Sequence, residues 1–409
     1  MPNGVGSGRG IEAVWQPPAS ERRRMRIEAE TVERMVAWRR DLHAHPELAF
    51  QEVRTADLVA RELAACGLSV KTGLGRTGVV GTLSRGDGPT VGLRADMDAL
   101  PIQEATGASY ASRTPGVMHA CGHDGHVAML LGAARHLASR TDLSGTVHFI
   151  FQPAEECEGG GRAMVEDGLF RLFPCDSVYG LHNWPGLPLG TFATRVGAIM
   201  ASLDTFEITV AGFGTHAAMP ERGTDTLVVA SELVLALQTI VSRRIAPTDP
   251  VVLSVTQIHG GDAYNVIPER AVIRGTVRCL DEAVRKRVAE LVEAIAGGTA
   301  GTHGARAEVD YRFGYPATVN TADAVGTALE AAGTVPELSA RHGEVVPSMA
   351  SEDFAYMLEA CPGAYAWIGT DGAERGPPLH NPAYDFNDAA LSIGAAYWAA
   401  LGTRLLGGR

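Results

Sequence analysis

The chain has 409 residues, enough for two domains of ordinary size. Hydrophobic residues make up 45 %, charged residues 20 % and aromatics 6 %, the profile of a globular protein with full-sized cores rather than a disordered or fibrous one. A formal net charge of −12 argues against a nucleic-acid partner, whose phosphates select basic surfaces, and no apolar run approaches the roughly 18 residues expected of a membrane-spanning helix.

Residues 1–24 are expected to be a frayed, solvated leader. They are rich in Gly and Pro, lack the apolar centre of a secretory signal, and place Arg22-Arg23-Arg24 too close to helical sequence for a twin-arginine signal. Helical patterns follow over 26–42 and 54–66, the second stopped by Gly67. β-rich runs then recur at 78–83, 90–94, 146–151 and 177–181, with a helix over 126–139 among them. This alternation predicts an α/β layer fold with a largely parallel sheet. Cysteines 66, 121, 157, 175, 279 and 361 show no disulfide-like spacing, which in a chain this long suggests a reducing cytoplasm.

The pattern changes at about residue 201. Residues 203–210 alternate, with Phe206, Ile208 and Val210 on one face. Residues 224–244 read as a long apolar helix with Asp225 in its first turn and Arg243-Arg244 in its last, as the helix dipole favours. Strands over 251–258 and 271–279, an amphipathic helix over 281–296 and a strand over 307–313 complete a β-α-β-β-α-β order, the split arrangement of ferredoxin-like domains. Residues 201–313 are therefore expected to be an inserted domain within a discontinuous one, 25–200 and 314–409. A helix over 351–358 and a strand over 365–369 return to the first sheet.

Chemistry is densest at Met118-His119-Ala120-Cys121-Gly122-His123-Asp124-Gly125-His126, which holds one thiol, three imidazoles and a carboxylate in nine residues. Cys121 and His123, two apart in an extended or loop segment, would project to one side and suit zinc or its neighbours. Further on lies Gln152-Pro153-Ala154-Glu155-Glu156. Adjacent carboxylates repel, so placing both at a strand end suits a cation. One can ligate while the other takes a proton from water. Asp96 and Asp98 follow the strand at 90–94, and His182 follows that at 177–181. All lie beyond carboxyl ends of strands, where open α/β sheets bind ligands. His182 and His380 each follow a leucine and are candidate ligands. His136, His148, His303 and His342 read as structural or surface residues. The combination points to a metallohydrolase.

Seven motifs carry a resemblance. They are Arg39-Arg40-Asp41-Leu42-His43-Ala44-His45-Pro46-Glu47, Arg94-Ala95-Asp96-Met97-Asp98-Ala99-Leu100-Pro101, the Cys121 cluster, Gln152 to Glu156, Gly214-Thr215-His216-Ala217-Ala218-Met219-Pro220, Gly260-Gly261-Asp262-Ala263-Tyr264-Asn265-Val266-Ile267-Pro268, and Ser351-Glu352-Asp353-Phe354. Together they resemble the M20 metallopeptidase superfamily, in particular its amidohydrolase branch of N-acyl-amino-acid amidohydrolases, hippurate hydrolases and auxin-conjugate hydrolases. The resemblance implies a mixed-sheet catalytic domain with helices on both faces and an inserted lid. It implies two divalent ions (manganese, zinc, cobalt or nickel) held by Cys121, His123, Glu156, His182 and His380, with Glu155 as general base. Other branches carry His-x-Asp where this chain has Arg94-Ala95-Asp96, and Cys121 fills the gap, leaving Asp96 to orient a ligand. His216 matches a histidine that reaches a neighbouring active site and stabilises the oxyanion. Asn265 matches a substrate-binding position, and Arg278 is a candidate partner for a substrate carboxylate. A homodimer, or a dimer of dimers, through the lid follows from the same resemblance. Cys157-Glu158 stands where relatives usually carry glycines and is expected to point outward.

The expected reaction is hydrolysis of the amide of an N-acyl amino acid, a small-molecule substrate, in the cytoplasm. A dipeptidase or an N-acetyl-diaminopimelate deacetylase is the nearest alternative. A non-catalytic acyl-amino-acid binding protein and a metal store are alternatives of other classes.

Overall fold

A computed structural model of the chain describes residues 26–156, 158–372 and 376–407. The expected leader, the Arg22-Arg23-Arg24 run and the Cys157 thiol lie outside the described residues.

Helices α1 (Ala29–Ala44) and α2 (Val53–Ala65) come first, and α2 is followed by Gly67 with φ +81°. Next come β1 (Ser69–Leu74), β2 (Gly78–Ser84), β3 (Thr90–Asp96), α3 (His123–Ser139), β4 (Thr146–Gln152), the short helices α4 (Gly160–Glu166) and α5 (Leu169–Leu172), β5 (Ser177–Pro188), β6 (Thr191–Ala193) and β7 (Gly197–Met200). Strand β5 runs well past its expected end, because it goes on pairing after residue 181.

The segment that follows forms its own sheet from β8 (Asp204–Ala211), β10 (Val251–His259), β12 (Arg270–Cys279) and β13 (Arg306–Phe313), in the order β10-β12-β8-β13 with every pair antiparallel. A two-stranded ribbon of β9 (Thr215–His216) and β11 (Val266–Ile267) projects from it. Helices α6 (Thr226–Thr239) and α7 (Glu282–Thr302) cover one face, so the ferredoxin-like order holds. Alternate strand residues Phe206, Ile208, Ala271, Ile273 and Val277 pack against Val229, Leu233 and Leu237 of α6 and Val288 and Val292 of α7. Asp225 caps α6 by accepting the Leu227 and Val228 N–H groups at 3.1 Å, worth about 1 kcal/mol.

Helix α6 corrects one expectation. With its terminal π-turn (Ile240–Arg244) it spans 19 residues at a mean hydropathy of 1.4, so it is long and apolar enough to cross a membrane. Ser231, Glu232 and Gln238 interrupt its apolar run, but they do not lower the average enough. Its Val229–Leu233–Leu237 face is buried against the sheet.

The chain then returns through β14 (Thr318–Asn320), α8 (Ala322–Gly333), β15 (Ala340–His342), α9 (Ala355–Ala360), β16 (Gly363–Asp371) and α10 (Ala389–Leu406). The helix expected over 351–358 starts only at Ala355, which leaves Glu352 and Asp353 on a loop. The large sheet runs β1-β2-β4-β3-β5-β16-β6-β15. Its centre, β4-β3-β5-β16, is parallel, and β1-β2, β2-β4 and β16-β6 are antiparallel, so the sheet is mixed. Helices cover both faces. Val147, Phe149 and Phe151 of β4 point to a core shared with α1, α3 and α10, while Ile150 points to a second core with Met164 and Phe354. Helix α3 is the most enclosed, and α1 crosses it so closely that a Cβ at Gly132 would lie 2.1 Å from Met35 Sδ. The carboxyl ends of β3 and β4 and the start of α3 are thereby fixed rigidly beside one another.

Candidate metal centre

Three strands deliver carboxylates and imidazoles to one edge of the large sheet. At the end of β4, Ala154 takes a left-handed φ of +52°, and its N–H is held by Glu52 Oε1 at 2.9 Å. The next two N–H groups, of Glu155 and Glu156, each donate to one oxygen of Asp98 at 3.0 Å. Asp98 thus fixes the backbone of the Glu pair, and the two side chains diverge. Glu156 groups with Cys121 and His380, Glu155 groups with Glu352 and Asp353, and both reach His123. Within each group the ligand-type atoms lie within 4.8 Å of one another.

Asp98 also orients His123. Its carbonyl accepts the His123 Nδ1–H at 2.9 Å, which leaves the Nε2 lone pair directed into the site. His182 follows the same rule: Nδ1 donates to the Asn183 carbonyl at 2.6 Å, and Nε2 lies 3.5 Å from Cys121 Sγ. His380, at φ +62°, donates its own N–H to the Ala120 carbonyl at 2.8 Å and places Nε2 3.2 Å from Glu156 Oε1. Gly122 makes these approaches possible. It adopts φ +90°, and a Cβ there would sit 2.5 Å from Asn183 Oδ1. Of the two paths expected between residues 121 and 123, extended or loop, the structure has the loop, a tight turn that leads straight into a helix. Gly122 caps α3, and His123 is its first helical residue.

The electrostatics call for a cation. Burial pushes the Glu155 carboxyl well above the usual carboxylate range, and Glu352, Glu156 and Asp353 add to the effect. Burial likewise raises the Cys121 thiol, reinforced by Glu156 and Glu155. His123 is pushed up to about 10: burial opposes its charge, but Asp96 and Asp98 outweigh it. Burial holds His182 well below the ordinary histidine value. His123 Nε2 and Glu156 Oε1, 3.9 Å apart, are buried with no aligned hydrogen bond among the described residues, and His380 Nε2 crowds the same oxygen at 3.2 Å. Such orphaned atoms are rare in native proteins unless an ion or water sits between them. A thiol, imidazole lone pairs and carboxylates suit zinc, manganese, cobalt or nickel, so the residues present fit divalent ions.

Asp96 is fully buried, with Oδ1 2.6 Å from His126 Nδ1 and Oδ2 receiving the Arg94 Nη1–H at 2.8 Å. It groups with His123, His126 and His182. Sequence reasoning gave His126 no role, although its i+3 offset from His123 places both on one helix face. Both His126 ring nitrogens are engaged, the second by Asn183 Oδ1 at 2.6 Å. Arg94 was also missed. Completely buried, it donates to Gln152, Asp96, Glu352 and Asp353, and so ties the ends of β3 and β4 to the 351–354 loop. Removing it would leave several buried carboxylates uncompensated, at a cost of about 3–5 kcal/mol.

Cys121, Glu155, Glu156, His182 and His380 share a cavity of about 400 Å³ with Arg278, Trp184, Met200, Leu203 and Leu379. His216 and Asn265 do not line it. His216 is exposed on the β9–β11 ribbon and Asn265 on the loop leading into β11. Glu158 is exposed, as expected.

Comparison with known proteins agrees with this geometry. The family model described as peptidase family M20/M25/M40 matches residues 92–404. The hippurate hydrolase of Campylobacter jejuni is 42 % identical over 90 % of this chain and 95 % of its own length. An N-acetylcysteine deacetylase of Bacillus subtilis is 40 % identical over 91 % and 97 %. Among solved structures, the Bacillus subtilis YXEP protein, described as a dinuclear metal-binding peptidase of the M20 family, superposes with a TM-score of 0.81. It is 37 % identical, over 93 % of this chain and 99 % of that one.

Proposed function

The chain belongs to peptidase family M20/M25/M40, and from that premise we propose that it is a metal-dependent amidohydrolase that splits N-acyl amino acids into a carboxylic acid and a free amino acid. The observation that carries this reading is the buried convergence of His123 Nε2 and Glu156 Oε1, neither with an aligned hydrogen bond among the described residues, with Cys121, His182 and His380 beside a carboxylate left for proton transfer. In this reading Cys121, His123, Glu156, His182 and His380 hold two divalent ions, manganese, zinc, cobalt or nickel. Bound there, the ions would supply Lewis acidity for the amide carbonyl and acidify the attacking water.

The remaining chemistry falls to the chain's own residues. Glu155 takes the proton from water and delivers it to the leaving nitrogen, a role open to it because Glu156 and not Glu155 groups with Cys121 and His380. Asp96, braced by Arg94, holds His126 and with it the Asn183 backbone beside His182. Arg278, on the open face of β12, donates to Ser351 Oγ at 2.9 Å in the cavity wall, and in this reading it meets the substrate carboxylate. Trp184, Met200, Leu203 and Leu379 offer an apolar wall for the acyl group. Residues 201–313 act as a lid, and the chain works as a homodimer through it. Leu235 on α6 and Ile258 on the edge strand β10 are exposed apolar residues of that segment. His216 and Asn265, outside the cavity of their own protomer, then serve the partner's site. The free state of the five described cysteines supports a cytoplasmic setting.

The test is hydrolysis of benzoyl-, acetyl- and indole-acetyl-amino acids against dipeptides and N-acetyl-diaminopimelate, on stripped protein reloaded with one metal at a time. Faster cleavage of acyl amino acids is expected. Preference for dipeptides or for the diaminopimelate derivative would overturn the substrate class, and tight binding without turnover would indicate a binding protein.

A further inference from the structure

A second buried charge cluster lies on the far side of the α3 N-terminus, and the proposed reaction uses none of it. Its centre is Arg39 of α1, whose side chain is fully buried. Arg39 Nε lies 3.0 Å from Asp124 Oδ2, Nη1 lies 3.3 Å from Asp388 Oδ1, and Nη2 contacts Asp385. Tyr110 braces the arrangement. Its ring lies 4.8 Å below the guanidinium, and its hydroxyl donates to Asp385 at 2.6 Å.

These three carboxylates belong to the two halves of the metal centre. Asp124 directly follows His123 in the first turn of α3, so one residue faces the site and its neighbour faces Arg39. Asp385 and Asp388 sit at the far end of the segment that begins with His380. That segment is tied near His380 by the backbone bonds His380 N–H to Ala120 and Ala105 N–H to Pro382, both 2.8 Å. Arg39 holds its other end against the helix that carries His123. His123 and His380 approach Glu156 Oε1 from two directions, at 3.9 and 3.2 Å. The planar guanidinium fork reaches three carboxylates at once, hydrogen-bonding Asp385 through Nη2 and lying at ion-pair distance from Asp124 and Asp388 without an aligned hydrogen bond to either, a spread that a single ammonium cannot span equally well.

We propose that Arg39 is a positioning residue that sets His380 against His123 and thereby governs occupancy of the ion on the Cys121–Glu156–His380 side. The inference rests on the two-metal reading above. Residues that orient metal ligands typically change metal affinity by about 10- to 100-fold when altered.

The experiment titrates stripped protein with cobalt(II), following heat by calorimetry and the cobalt–thiolate charge-transfer band of Cys121 by absorbance. Arg39→Lys keeps the charge and loses the fork. The double variant Asp385→Asn/Asp388→Asn keeps Arg39 and releases the His380 segment, and it carries the test should Arg39→Lys fail to fold. In both, one binding step should match the parent, while the step that raises the thiolate band should need about 10- to 100-fold more cobalt. Unchanged steps, or equal weakening of both with a lowered melting temperature, would reduce Arg39 to general support and overturn the proposal. A parent that takes up no cobalt would instead defeat the two-metal reading itself.

Discussion

Replacing Glu155 by glutamine separates the proposed base from the proposed ligands. The amide has the same shape as the carboxylate and keeps an oxygen for the Asp353 N–H, which donates to Glu155 Oε1 at 3.3 Å. The backbone bonds from residues 155 and 156 to Asp98 do not involve the side chain and should persist. What is lost is a proton acceptor, and general-base removal typically costs about 10²–10⁴-fold in rate, or roughly 3–5 kcal/mol of barrier. Burial and four neighbouring acidic groups raise the affinity of Glu155 for protons, so the charged form is costly in the stripped protein. A neutral isostere should therefore leave the melting temperature of the stripped protein unchanged or higher. Steady-state hydrolysis of an N-acyl amino acid, metal analysis and a thermal melt check the three parts together. A rate within tenfold of the parent would refute the base assignment. Loss of bound metal alongside the rate would move Glu155 from base to ligand.

Other outcomes follow from the same geometry. His123, pushed up to about 10 among Asp96 and Asp98, stabilises the stripped protein fully below the ordinary histidine value of about 6.5 and loses that contribution as pH rises through about 10. The melting temperature of stripped protein should fall over that window and that of the loaded protein much less, and parallel melts will tell. Ions must displace protons from His123 and from the raised Cys121 thiol. Calorimetry in buffers of different ionisation heat at pH 7 should therefore show release of at least about two protons per chain, with Glu155 able to add another, and no release would contradict thiolate ligation. Arg278→Ala should raise KM by roughly 10- to 100-fold with kcat little changed, the loss of one charge-assisted contact to a substrate carboxylate. An unchanged KM would move the carboxylate elsewhere.

The inserted ferredoxin-like sheet was legible because each strand buries one face, and alternation at Phe206, Ile208 and Val210 reports that directly. Strand β1 was not, since its residues Ser69 to Gly73 are exposed or half-buried and carry little apolar signal. The family resemblance brought together Cys121, Glu156 and His380, and the strand pattern placed the Glu pair at a strand end, where the structure has them. The sequence could not show that His182 lies inside β5, paired beside Trp367, because a strand buried on both faces has no alternation to mark its end. Nor could it show that Gly122, at φ +90°, caps a helix beginning at His123, three residues before the expected start at 126. Glu352 and Asp353 stand in a motif whose spacing assigns them no role. Their partner Arg94 is more than 250 residues away, and no local spacing signals such a contact.

If these side chains hold two ions, metal stoichiometry must rise in step with turnover. Stripped protein, titrated with manganese or zinc and analysed by mass spectrometry after desalting, should retain two ions per chain and hydrolyse an N-acyl amino acid only as they bind. The variant Cys121→Ala should retain fewer. Full activity without metal, or two ions retained undiminished when Cys121 is gone, would contradict the account.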